Sequence, residues 1–154
     1  MADIRSGQVY INNIDIYNEF GAFLAEERKG GRENLKSIYT PSPTKKHVAV
    51  NFRERTGEKH AKELLVVNEA RDVTLTFCIY APTQEKWLQQ YNDFVAYLKR
   101  GDKGWLAFRF PSINLELKMF YQSCTSYAPL TYLWRQGVQA SHFKIKFREP
   151  EPVL

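Results

Sequence analysis

Apolar and polar positions alternate most cleanly in "ARDVTLTFCIYAP", residues 70–82. Val73, Leu75, Phe77 and Ile79 share one face, and Asp72, Thr74, Thr76, Cys78 and Tyr80 share the other. This pattern predicts a strand whose first face lies in the core. The period then changes. In "TQEKWLQQYNDFVAYLKRG", Trp87, Leu88, Tyr91, Phe94, Val95 and Leu98 recur at helical spacing and predict one apolar stripe on a helix over about 83–100. Thr83 is placed to cap its start and Glu85 suits the first turn. Lys99, Arg100 and Gly101 suit its end.

Strand-like patterns flank this pair. "QVYINNIDIY" holds two short runs around Asn12-Asn13, a tight-hairpin signal because Asn tolerates the left-handed conformation. Gly21 then breaks "NEFGAFLAEE". After the helix, "GWLAFRFP" is a strand closed by Pro111. "LELKMFYQSC" sets Leu115, Leu117, Met119 and Tyr121 against Glu116, Lys118, Phe120 and Gln122. "VQASHFKIKFREP" sets Phe143, Ile145 and Phe147 against Lys144, Lys146 and Arg148, and Pro150 and Pro152 end the folded part. "YAPLTYLWRQG" is aromatic, fits neither period and is broken by Pro129. Residues 27–36, with Gly30-Gly31, predict a flexible surface loop ending in one helical turn, and Pro41 and Pro43 stiffen an exposed crossover after it. Strands, one helix, then strands is not a βαβα order, which argues against a doubly wound parallel sheet. The reading is a single α+β, mainly β domain over 1–154: an antiparallel β-sandwich or barrel-like body with one packed α-helix.

Residues 44–68 stand apart. "HVAVNF" alternates like a strand, "RERTGEKHAKE" is almost wholly polar around Gly57, and "LLVV" is apolar again. Two strand-like flanks around a charged tip predict a long hairpin arm. Such a tip has too little to bury to fold onto a core by itself, so the arm is either disordered or docked on a partner. Its candidate assembly residues are His47, Val48, Val50, Phe52, Arg53, Arg55, Lys59, Leu65 and Val67.

Composition narrows the chemistry. Aromatics at 14% favour a β-rich fold or a large contact surface. The net charge of +5 comes from bases interleaved with acids, which reads as a mildly basic soluble protein. "MADIRSGQVY" lacks the apolar run of a signal peptide, and no segment has the roughly 18 apolar residues of a membrane span, so synthesis in the cytoplasm is expected. Cys78 and Cys124 lie 46 residues apart in strand-like runs and read as buried free thiols. A cysteine–histidine catalytic pair stays open on sequence grounds, although neither cysteine sits in a loop. His47, His60 and His142 show no paired metal-ligand spacing, so neither a metal nor a cofactor is expected. The turn Ala81-Pro82-Thr83-Gln84 lacks the glycines of a phosphate cradle and of a nucleophile elbow, and it reads as a joint. "RGD" at 100–102 reads as a helix-end turn, and "HFKIKFRE" as core aromatics alternating with solvated bases.

Three stretches together resemble the tail-tube and distal-tail proteins of long-tailed bacteriophages, in particular the ring-forming N-terminal domain of distal tail proteins. They are the opening hairpin with its aromatic–glycine step, "VYINNIDIYNEFGAFLAE", the strand and helix "RDVTLTFCIYAPTQEKWLQQYNDFVAYLKRG", and the hairpin "GWLAFRFPSINLELKMFYQSCTSY". The resemblance spans roughly residues 8–148. It implies a β-sandwich or barrel-like body, one packed helix and a long hairpin reaching a neighbouring subunit. It further implies a hexameric ring around a DNA channel, without catalytic residues, contacting other tail proteins and passing DNA without sequence-specific binding. The expected location is the host cytoplasm during assembly and then the virion tail. Distal tail proteins usually carry a second, C-terminal domain, so a chain ending at Leu154 is expected to be a short variant, or a tube or connector subunit. Two other readings of the residues stand beside this one: a basic β-rich nucleic-acid-binding module, and an enzyme of unspecified type.

Overall fold

The structure is a computed structural model that describes residues 6–26, 30–129 and 139–152. In chain order its elements are β1 (Tyr10–Ile11), β2 (Ile14–Asp15), α1 (Ile16–Phe20), β3 (Ala22–Leu24), α2 (Glu33–Tyr39), β4 (Ala49–Val50), β5 (Lys59–His60), β6 (Arg71–Ala81), α3 (Gln84–Arg100), β7 (Leu106–Phe110), β8 (Leu115–Pro129) and β9 (Gln139–Glu149). Seven strands form one antiparallel sheet in the order β2-β1-β7-β8-β9-β6-β3, and β4 and β5 pair separately. The sheet curls into a half-barrel, so the barrel-like body is the form adopted.

The ladder between β6 and β9 is the backbone of the sheet. It runs without a break from Arg71 opposite Glu149 to Ala81 opposite Gln139. The predicted core faces meet here: Val73, Leu75, Phe77 and Ile79 of β6 and Phe143, Ile145 and Phe147 of β9 are all buried. Helix α3 lies on this face. Phe94 is fully buried, with its ring 5.2 Å from that of Phe77, 5.6 Å from Phe20 and 6.1 Å from Phe143. The stripe differs from the predicted one at two positions. Leu88 is exposed and Tyr97 is buried. Tyr97 takes the inner place because its hydroxyl, buried with the ring, donates to the Ile11 carbonyl at 2.8 Å and ties the helix to the first hairpin.

Local signals explain the connections. Asn12 and Asn13 both have positive φ, 52° and 67°, as the tight β1–β2 turn requires. The Asn12 side chain also accepts from the Ala107 N–H at 2.8 Å, which fixes the hairpin to β7. The β6–α3 turn is a joint: the Thr83 hydroxyl accepts from Lys86 N–H at 3.2 Å as a helix cap. The "RGD" tripeptide is the helix-end turn. Gly101 has φ 50°, and a Cβ there would lie 2.4 Å from the Trp105 carbonyl, so only glycine fits.

Three elements depart from expectation. Helix α1 takes Ile16 and Tyr17 from the second run of the first hairpin, because the Asp15 side chain caps it by accepting from Tyr17 N–H at 3.1 Å. Helix α2 is longer than one turn and absorbs "SIY", because Ile38 is buried and the polar face of the helix bonds to β6. Strand β8 runs on to Pro129, through register shifts between Tyr121 and Ser123 and between Cys124 and Ser126. Each shift inserts an unpaired residue, which breaks the alternation that would have marked the strand and adds local twist. Most of "YAPLTYLWRQG" lies outside the described residues.

Phe94→Ala should destabilise the fold by about 3–5 kcal/mol, since it empties the centre of the aromatic cluster. Urea unfolding followed by circular dichroism checks this.

Candidate assembly surface

The arm at 44–68 is a hairpin whose side chains are exposed throughout, apart from the half-buried His47. Its root is closed by a Thr44–Asn68 bridge, by Lys45 N–H donating to Val67 O and by Glu69 N–H donating to Pro43 O, both at 2.8 Å. Further out, Ala49 pairs with His60 and Val50 with Lys59. Beyond them Arg55 N–H donates to Phe52 O, and the Arg55 guanidinium sits over the Phe52 ring.

Each predicted arm residue can now be placed. Val48 and Leu65 are the most exposed, at 87% and 81%, and Val50, Phe52 and Val67 are exposed as well. Arg53, Arg55 and Lys59 are exposed around the tip. His47 meets His60 edge-on, with ring centres 6.4 Å apart, and Glu58 lies 3.9 Å from His60 Nε2. Among the described residues no group of three His, Cys, Asp or Glu side chains is placed to hold a metal ion. The sequence names Leu65 and Val67 of the apolar run "LLVV" as candidate assembly residues. Leu64 and Val66 are exposed too, so 64–67 is a run of four apolar residues facing water on both sides. A run of that length on a surface is unfavourable unless something covers it.

The chain leaving the arm enters the body at a buried ion pair. Arg71, the first residue of β6, is buried and pairs through Nε with the buried carboxylate of Glu149 at 2.5 Å. Its Nη1 donates to the carbonyls of Ile38 at 2.9 Å and Thr40 at 2.6 Å. The last carbonyls of a helix need such donors, and a cation there suits the helix dipole. Arg71 thus joins the return strand of the arm, the chain entering it and the end of β9. Sequence reading missed this residue because its partners are 31, 33 and 78 positions away.

On the outer face of the sheet, His142, Lys144, Lys146 and Arg148 form a row along β9. Asp72 of β6 answers two of them, with Lys146 at 3.3 Å and Arg148 at 3.0 Å. Burial acts to raise the Asp72 carboxyl, but hydrogen bonds from Arg148 and Lys146, and their charges, outweigh it and hold the carboxyl below its usual range. Two of the row therefore share one counter-charge, as on a solvated strand face. The register also sets Cys78 opposite His142, mid-sheet, with the thiol residue buried. Cys124 was expected to be buried and is exposed. It lies where β8 has passed β7, and among the described residues, 120–129 have a strand partner, β9, on one side only.

No known protein family matches the sequence, and no curated protein matches it either. Among the described residues no helix is long and apolar enough to cross a membrane.

Two measurements test these electrostatics. Asp72→Asn should cost about 0.2–1 kcal/mol at neutral pH, as partly exposed pairs do. Because the folded carboxyl titrates below the unfolded value of roughly 3.9, its contribution is complete above that value and is lost as pH falls through the folded pKa. The wild-type and Asp72→Asn stabilities should therefore converge in acid. Arg71→Met should cost about 3–5 kcal/mol, by stranding a buried carboxylate. Arg71→Met/Glu149→Leu should be less destabilised than Arg71→Met alone in the same urea titration.

Proposed function

We propose that this chain is a structural subunit of a phage or prophage tail. In this reading identical copies assemble into a ring, sixfold by the resemblance, around a channel for DNA. Neither a cofactor nor catalysis is required. The observation that carries the reading is the arm: a hairpin with an apolar run exposed on both sides, on a root closed by backbone hydrogen bonds. A protomer gains nothing from such an element alone, whereas a neighbour can cover it. A ring needs this kind of contact, because one surface of each copy must meet a different surface of the next. The half-barrel with one long packed helix agrees with the body that the resemblance implies. Other tail proteins and DNA, the latter bound without sequence preference, are the remaining partners in this reading.

Light scattering behind size exclusion, over a range of protein and salt concentrations, tests the assignment. The full chain should form a discrete ring-sized oligomer, or grow with concentration. Deleting residues 53–62 should leave stability within about 0.5 kcal/mol, since the tip buries nothing, and should abolish the oligomer. An intact oligomer after the deletion would overturn the role of the arm. A strict monomer that shifts only on adding nucleic acid, and loses the shift in salt, would favour the basic binding module instead.

A further inference from the structure

Among the described residues, no strand covers the edge of β6 from Arg71 to Leu75. β3 pairs only with Phe77, Cys78 and Ile79. Before that point Thr74 and Thr76 turn their backbone groups away from β9, and α2 receives them. The Asn34 side chain accepts from Thr76 N–H at 2.6 Å and donates to Ala25 O at 2.8 Å and to Thr76 O at 3.3 Å, while Ala25 N–H donates to Thr76 O at 2.9 Å, so the Asn34 amide replaces the peptide acceptor that Thr76 N–H would have in a paired strand. Ser37, one turn on, accepts from Thr74 N–H at 2.8 Å. Ile38 supplies the apolar side chain that enters the core. Helix α2 therefore imitates a strand with side chains.

Apart from Arg71, which donates to the carbonyls of Ile38 and Thr40 at its end, the imitation is lightly built. Only Asn34 and Ile38 of its seven residues are buried. Its first turn has no side-chain cap and follows Arg32 at φ 55°. Gly30-Gly31 precedes it and Pro41 follows. A cleft of about 240 Å³ lies beside it, lined by Leu24, Ile38, Phe110 and Ile113 among others. Meanwhile 64–67 is strand-prone, apolar and not part of any ladder. In the protomer its last residue accepts from Lys45, and it does not reach Thr74 or Thr76.

We infer that α2 is an exchangeable guard of the β6 edge, displaced on assembly by residues 63–68 from the arm of a second copy. This rests on the ring reading above and names the surface the arm would take. A real strand supplies the acceptors that Asn34 and Ser37 offer to the N–H groups of Thr76 and Thr74 now, and one of its apolar side chains replaces Ile38. Until then the guard keeps copies from pairing edge to edge without control.

The test uses the full chain with Asn34→Ala/Ser37→Ala, alone and combined with deletion of residues 63–68, by light scattering. Weakening the guard should lower the concentration at which copies associate by on the order of tenfold, and the deletion should abolish this. Association that persists without the segment would overturn the inference, because an uncovered edge would then be sticking to anything. So would an unchanged or raised threshold. The wild-type chain separates the two proposals: its failure to form any ring counts against the ring reading, while the ratio between variant and wild type decides the guard.

Discussion

An open sheet leaves peptide groups along its edges, and each needs a partner or water. That constraint shapes most of this molecule. The half-barrel does not close, and its outermost strands are only two and three residues long. Each exposed stretch is treated differently. Gln8 reaches the backbone of β3, Asn34 and Ser37 reach β6, and β8 carries two register shifts where its second neighbour ends. Side-chain amides and hydroxyls serve here because they carry the same donors and acceptors as a peptide while leaving the backbone in a helix or loop. Bulges serve because they bend a strand away from easy pairing.

What was legible in the sequence follows from how local the cause is. β6, β9 and α3 each write their own burial into consecutive residues, so period alone places them. Asn12-Asn13 and Gly101 declare turns because few other residues tolerate those backbone angles. Helix α2 was half hidden. Its reason for existing lies in Thr74 and Thr76, some forty residues on, and polar side chains at helical spacing look like surface. The second half of β8 was hidden by its two extra residues, and the exposure of Cys124 went with it. The arm was readable as an arm, because a polar tip between apolar flanks has no core to join. Its four-residue apolar run was readable as apolar, but that all four side chains face water was not, because the sequence does not show what lies beside them. Arg71 was not readable at all, because nothing near it in sequence reveals a buried partner.

The two charge clusters beside each other on β6 serve different ends. Asp72 sits on the outer face in partial contact with water, and its pairs with Lys146 and Arg148 mainly offset a row of like charges. Arg71, one residue earlier, points inward, and its pairing is worth less as net stability than as direction. A guanidinium has a rigid fork of donors. With one arm of the fork on Glu149 and another on two carbonyls of the chain leaving α2, few arrangements of that root satisfy all of them.

The same residue decides how the molecule carries load. A pull on the arm enters the body at the start of β6 and, through Arg71, at the end of β9. Those strands are antiparallel and paired along eleven positions. Tension directed along β6 would strain the whole ladder in shear, so that its hydrogen bonds resist together instead of opening one after another. One leg of the arm is thus continuous with the longest ladder described in the sheet, while the other leads back to α2, so a neighbour dragging on the hairpin would load the helix before the sheet.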